Sequence, residues 1–139
     1  MKNLRKSEKK RLKDKVWKVF SLYIRTKFAK NGIVACYTCD KQMPIHLSQA
    51  GHAIGGRTNS VLFDEEIVRP QCRRCNIFLG GNYPVFVTKL IKENGLEWWE
   101  KKLRDSKKVK KFTVSELKDL LEYYTKKLER LNETKKSAP

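Results

Sequence analysis

Apolar positions along the chain change rhythm twice, and the changes mark its organisation. From about Arg11 to Lys30, Leu12, Val16, Val19, Phe20, Tyr23, Ile24 and Phe28 recur every three or four residues. That spacing predicts one amphipathic helix, with Lys13, Lys15, Lys18, Arg25 and Lys27 mostly on its other surface. Trp17 and Tyr23 read as core aromatics rather than as base-stacking ones. Asn31-Gly32 closes the helix, since glycine suits the left-handed position that follows a helical end. Residues 1–10 are polar and basic and read as a flexible leader.

The rhythm then shortens. Ile45 to Ala50 reads as a short strand leading to Gly51-His52, and Gly55-Gly56-Arg57-Thr58-Asn59 is a loop by composition. Glu66 to Gln71, with Ile67 and Val68 at its centre, reads as a second strand, and Pro70 marks it as an edge. Arg73 to Leu79 starts a short helix that Gly80-Gly81 stops, with Asn82 as a turn or cap residue. Helical spacing returns in Pro84 to Glu93 and Leu96 to Arg104, and after the lysine-rich turn 107–111 it reaches its clearest start. There Thr113 and Glu116 have capping-box spacing, and Phe112 with Leu117 fits a hydrophobic staple. The stripe Val114, Leu117, Leu120, Leu121, Tyr124, Leu128, Leu131 serves either a core or a second subunit. Residues 132–139 read as a disordered tail.

Charge sharpens this picture. The 139 residues carry a formal net charge of +17. Residues 1–30 hold 12 Lys/Arg against 2 acids, residues 31–82 hold 5 against 4, and residues 83–139 hold 15 against 9. A nearly neutral centre is flanked by basic arms, which implies a polyanionic partner, most simply nucleic acid. No apolar run approaches the ~18 residues that span a membrane, and no secretory signal is visible. A reducing compartment, the cytoplasm, is expected.

All four cysteines lie in the neutral centre, as Cys36-x-x-Cys39 and Cys72-x-x-Cys75. In a reducing compartment two matched pairs favour one tetrahedral zinc over two disulfides or a redox dithiol. Between and just behind them stand His52 and Asn76. Taken singly, His52 reads as a structural histidine and Asn76 as a cap. Together, in this order, they match a hydrolytic site. A neutral histidine can take a proton from water at physiological pH, and an asparagine carbonyl is a hard oxygen ligand for Mg²⁺ or Mn²⁺. The zinc knuckle at Cys75 would hold Asn76 in place.

Asp64, Glu65 and Glu66 form an acidic cluster able to give that cation a second ligand, or else an exposed loop. Arg57, Arg73 and Arg74 are candidates to clamp the phosphate, with Lys13 and Lys18 of the first helix as further DNA contacts. His46 reads as a surface or supporting residue. The expected fold class is α+β and mostly helical. A zinc-framed ββα-metal core (HNH-like, treble-clef-type) over 33–82 is flanked by helices over 11–31 and 83–131, all within one domain, 11–131.

The run Phe20-Ser21-x-Tyr23-Ile24-Arg25, Gln49-Ala50-Gly51-His52, Phe63-Asp64-Glu65 and Gln71-Cys72-x-x-Cys75-Asn76-x-Phe78-Leu79-x-Gly81-Asn82 resembles the phage NinG/Rap recombination endonucleases. The similarity covers about Trp17 to Leu131. The site order is also similar to that of phage endonuclease VII. The resemblance implies a structure-selective endonuclease for branched DNA (Holliday junctions and D-loops) in a bacterial host cytoplasm. It implies His52 as base, Asn76 as a Mg²⁺ ligand and the four cysteines as zinc ligands.

Two positions depart from the wider HNH pattern. Gly51 stands where endonuclease VII has an aspartate ligand, as it also does in NinG-like sequences. Ile67 stands where an asparagine usually orients the histidine. The second metal ligand is then expected from Asp64 or Glu65, and the orienting group from another polar residue such as Asn59. Symmetric junction cutting further implies a homodimer, with the terminal helices as its interface. Two competing readings stay open: a non-catalytic zinc-stabilised nucleic-acid-binding module, and a small zinc adaptor for another protein.

Overall fold

Helix formers without a Gly or Pro break occupy the first 27 positions, and they build one continuous helix, α1 (Lys2–Lys27). The computed structural model describes residues 2–137. The expected leader is therefore helical over its described part, because Leu4 to Lys10 contains only residues that extend a helix at low cost. Met1 lies outside the described residues. Asn31 and Gly32 both take positive φ, +52° and +78°, and turn the chain back.

A hairpin follows, β1 (Ile33–Ala35) antiparallel to β2 (Gln42–Pro44), whose turn carries Cys36 and Cys39. The periodicity did not reveal these strands, which are three residues each, too short for alternation to register. Ile45–Leu47 is a 3₁₀ turn rather than the start of the expected strand, because Pro44 and the Ser48 Oγ and N–H bonds to the Ile45 carbonyl close a tight turn there. The strand itself is β3 (Gln49–His52), paired antiparallel with β4 (Val68–Gln71) in the register Gln49↔Gln71, Gly51↔Arg69, His52↔Val68. Each sheet has two strands. Pro70 faces Ala50, and its carbonyl accepts the Tyr37 N–H at 2.8 Å.

Behind β4 the expected short helix is a single π-helical turn, Arg74–Phe78, closed by the Leu79 N–H on the Arg74 carbonyl at 2.8 Å. Gly80 and Gly81 end it with φ of +60° and +104°. Then come α2 (Tyr83–Asn94), α3 (Leu96–Ser106) and α4 (Val114–Ser137). Thr113 Oγ1 accepts the Glu116 N–H at 3.0 Å, while the Glu116 carboxylate turns to Lys110, so half of the capping box forms. Phe112 and Leu117 are both buried in one cluster with Leu12 and Val16.

That cluster begins the main packing of the molecule. Phe20 meets Tyr124 edge-on at 4.9 Å, and Lys135 Nζ reaches the Ala29 carbonyl at 2.6 Å. Leu12 with Leu117, Phe20 with Tyr124 and Ala29 with Lys135 advance together along the chain, so α1 and α4 run in the same direction. Leu120, Tyr124, Leu128 and Leu131 pack into the core that contains Phe20 and Ile24, so the α4 stripe is used within the chain. The expected tail continues α4 as far as Ser137, since Glu133 to Lys136 again extends a helix cheaply and Lys135 is anchored. Ala138 and Pro139 lie outside the described residues. The architecture is α+β and mainly helical. No helix among the described residues is long and apolar enough to cross a membrane.

Candidate active site and metal centre

Two short turns bring the cysteines together. The first knuckle is held by the Cys36 N–H on the Lys41 carbonyl and the Asp40 N–H on the Cys36 carbonyl, with Asp40 at a φ of +66°. The second runs off the end of β4 into the π-helical turn. The four ligand sulfurs lie within 4.8 Å of one another, with Cys39 Sγ 3.7 Å from Cys72 Sγ. Burial pushes the Cys36 thiol up, but the Thr38 hydroxyl at 3.4 Å and nearby backbone amides outweigh it and bring the group down to about 6. Burial and neighbouring cysteines push Cys39 up to about 12, and burial also raises Cys72. A soft divalent ion would let crowded thiols such as these ionise together. Asn82 Nδ2 donates to Cys75 Sγ at 3.6 Å and the Cys75 N–H to Cys72 Sγ at 3.5 Å, the donor contacts that thiolate ligands accept. Donor set, spacing and surroundings fit a zinc ion.

His52 ends β3 and Asn76 lies in the middle of the π-helical turn. Both line one cleft of about 410 Å³, together with Trp17, Ser21 and Arg25 of α1 and with Gly55, Gly56, Arg57 and Tyr83. His52 as a residue is 8% exposed. Its Nε2 lies 3.0 Å from the Leu62 carbonyl oxygen. Burial lowers its pKa from the ordinary 6.5; the Leu62 bond opposes this, the Arg57 charge adds to it, and Asp64 opposes it last. The ring is therefore neutral at physiological pH, and a nitrogen facing a carbonyl must carry the proton. Nε2 donates, and Nδ1 keeps the lone pair.

Trp17 lies flat on this imidazole, centroids 5.1 Å apart at 18°, and the Arg57 guanidinium sits 4.6 Å from the Trp17 ring centroid. Trp17 is thus a cleft wall as well as a neighbour of the core, because its position on α1 faces the end of β3. Arg57 is held at the cleft by this stack, in a left-handed conformation with φ of +47°. Arg25 is fixed by Nε bonds to Ser21 and by Nη1 bonds to the Ile45 and Ser48 carbonyls at 3.1 and 3.3 Å. Sequence reading missed Trp17, Arg25, Gln49 and Tyr83 as cleft residues. The Ser21 and Arg25 spacing on the α1 face was the available signal.

Several expected site residues stand elsewhere. Asp64 Oδ2 pairs with Lys102 Nζ at 2.9 Å and Asp64 Oδ1 accepts the Glu66 N–H at 3.0 Å. Glu65 Oε2 accepts from Lys127 Nζ at 3.0 Å and Tyr124 Oη at 3.1 Å. Both carboxylates tie the loop before β4 to α3 and α4, and neither lines the cleft with Asn76. Asn59 does not orient His52: its Oδ1 accepts from Lys13 Nζ at 2.8 Å and its Nδ2 donates to the Lys110 carbonyl. The Leu62 carbonyl does that work, a backbone group that side-chain identity could not reveal. Ile67 is fully buried core. Arg73 and Arg74 are exposed on the π-helical turn, with Arg73 over the Phe78 ring at 5.7 Å. Lys18 and His46 are exposed.

A second groove, about 540 Å³, is lined by Lys6, Lys9, Lys10 and Lys13 of α1 together with Lys111, and it shares Trp17 and Arg57 with the cleft. The lysine-lined groove therefore adjoins the cleft at Trp17 and Arg57.

Comparison with the curated proteins and with the solved structures returns no match. A family model described as the bacteriophage lambda NinG protein matches residues 1–134, which takes in the cysteine site, the cleft and both long helices. This chain belongs to the NinG family.

Proposed function

We propose that this chain is a metal-dependent endonuclease that hydrolyses phosphodiesters in branched DNA, the Holliday junctions and D-loops of recombination. One observation carries the reading. A neutral imidazole with Nδ1 unprotonated and a carboxamide fixed one residue behind the cysteine site share one cleft. NinG membership and the lysine groove that adjoins the cleft support it.

In this reading His52 is the general base. Nδ1 takes a proton from water while the water oxygen forms its bond to phosphorus. The bond from phosphorus to the 3′ oxygen breaks, and the electron pair stays on that oxygen. The Leu62 carbonyl fixes the tautomer and stabilises the ring as it gains charge. Trp17 holds the ring plane. Arg57 and Arg25 bind phosphate oxygens, while Lys13 and the other groove lysines hold the backbone of the arm leading in. Asn76 Oδ1 would ligate Mg²⁺ or Mn²⁺, which when bound supplies charge neutralisation at the phosphate and the leaving oxygen. Cys36, Cys39, Cys72 and Cys75 would hold a structural Zn²⁺ that sets the position of Asn76 through the backbone. The small β3–β4 hairpin followed by the π-helical turn plays the part of a ββα-metal core. Symmetric cutting calls for two such sites, so a homodimer on junction DNA in the host cytoplasm belongs to the same reading.

The lysine groove equally suits a non-catalytic zinc module that binds nucleic acid. Incubation with a four-way junction and a linear duplex, in Mg²⁺ or Mn²⁺, separates the two. Nicking of the junction by wild type and its loss in His52→Ala support the nuclease. Tight, salt-sensitive binding without cleavage by wild type would sink it.

A further inference from the structure

Gly51 has no side chain, and the space where one would stand is occupied. A Cβ built there would lie 1.8 Å from Gln71 Oε1, 2.7 Å from Gln71 Cδ and 3.0 Å from Asn76 Oδ1. The register explains how. Gln49 pairs with Gln71 across the β3–β4 ladder, so Gln49, Gly51 and Gln71 share one face of the sheet, and the Gln71 carboxamide lies across the bare Gly51 backbone.

The orientation of that carboxamide is fixed. Gln71 Nε2 donates to the Gly81 carbonyl at 2.8 Å and to Thr38 Oγ1 at 3.1 Å, using both of its hydrogens. A flipped amide would set Oε1 against the Gly81 carbonyl oxygen, which can only accept. Oε1 therefore faces Gly51 and Asn76. The Gln71 residue is fully buried, and this oxygen accepts no hydrogen bond from any described residue. Buried acceptors are seldom left so, because the loss of hydration is not recovered. Asn76 presents the matching atom. Its Nδ2 donates to Gln49 Oε1 at 2.8 Å, which leaves Oδ1 directed at the same place. Two carboxamide oxygens converge over Gly51, with no donor of their own between them.

We propose that Gln71 Oε1 and Asn76 Oδ1 together form the protein's half of a divalent-cation site. It is a hard, oxygen-only pair suited to Mg²⁺ or Mn²⁺. The inference rests on the nuclease reading for its purpose, but not for its geometry. Of the pair, the half-buried Asn76 lines the cleft, and the fully buried Gln71 lies outside its lining. Gln71 is also the link to the cysteine centre, because Thr38 Oγ1 contacts both Gln71 Nε2 and Cys36 Sγ. Gly51 is required because any side chain there displaces the Gln71 oxygen. With Gln71 shortened, a carboxylate at position 51 would reach the same point.

The test uses the zinc-loaded full chain and Mn²⁺ as the probe, read by electron paramagnetic resonance and calorimetry. It is run with and without a four-way junction, in a His52→Ala background where DNA is present. Expected is one Mn²⁺ per chain for the unaltered site. Gln71→Met and Gly51→Ala should each weaken it about tenfold or more, a loss of the size seen when metal-site partners are removed. Gly51→Asp with Gln71→Ala should restore it, which keeps the test decisive if either single variant folds poorly. Zinc content should not change.

Mn²⁺ binding unaltered by both single variants, or no Mn²⁺ bound in either condition, would overturn the proposal and leave a bridging water as the occupant. A wild type that cuts junctions while Gln71→Met binds Mn²⁺ normally refutes this site and keeps the nuclease. Mn²⁺ bound through Gln71 without any cleavage does the reverse.

Discussion

His52 Nε2 stands 3.0 Å from the carbonyl oxygen of Leu62, and that contact assigns the two ring nitrogens different duties. A main-chain carbonyl accepts whatever the side chains around it are, so the ring keeps Nε2–H and Nδ1 keeps its lone pair. Nothing on the Ile67 side chain is needed for this.

His52→Ala should therefore slow junction cleavage by about 10²–10⁴-fold if the ring acts as general base, while binding of the junction persists. Gel-based cleavage and binding assays on the same preparation check this. Comparable cutting by the variant would remove His52 from the chemistry.

The pH dependence has a definite sign. Burial holds the folded His52 pKa below the ordinary 6.5, so the unfolded chain takes up a proton before the native one does. The His52 contribution to stability is complete above pH 6.5 and is lost as pH falls from there through the depressed native value. The acid limb of cleavage should lie below pH 6.5 for the same reason. Arg57→Ala removes a charge that favours the neutral ring and should move that limb upward. A limb unchanged in Arg57→Ala would contradict the electrostatic account.

Metal removal from the cysteine site should be severe. Structural zinc in small domains contributes about 10–16 kcal/mol of apparent folding free energy, against about 5–15 kcal/mol of net stability for a whole domain. Elemental analysis should find one zinc per chain, and a strong chelator should abolish the cooperative melt measured by calorimetry. A melt unchanged after complete stripping would show that the four cysteines carry no structural metal.

Asp64 and Glu65 should behave as fasteners. Glu65→Gln weakens a half-buried carboxylate that holds Lys127 and Tyr124, and should cost about 1–2 kcal/mol in denaturant unfolding. Mn²⁺ affinity should be unaffected. A large fall in Mn²⁺ affinity without loss of stability would return Glu65 to the metal.

The groove lysines should act on DNA through phosphate alone. Replacing Lys6, Lys9 and Lys10 with alanine should lower the slope of log affinity against log salt by about 1 per lysine that contacts phosphate. Junction and duplex should weaken alike. An unchanged slope would place the DNA elsewhere.

Much of this architecture was legible because long elements announce themselves. The α1 and α4 stripes and the Thr113 cap depend on local spacing, and the two CxxC pairs depend on residue type. What stayed hidden was the side chain's company across the fold. Asp64 and Glu65 looked free because Lys102 and Lys127 lie tens of residues away. Gly51 looked like a missing ligand because the oxygen filling its place belongs to Gln71, on the neighbouring strand. Trp17 looked like core because a helical stripe does not say which neighbour ends beside it.

The pairing of the first helix with the last has a consequence for the order of assembly. Trp17, Ser21 and Arg25 form one wall of the cleft, yet the helix that carries them is seated by α4, about a hundred residues later. Such sequence-distant contacts are slow to form and are made late. During synthesis the cysteine knuckles can close early, while the full seating of that wall waits for α4 to leave the ribosome. On the nuclease reading, a chain released before Thr113 should still bind zinc and lose most of its cutting.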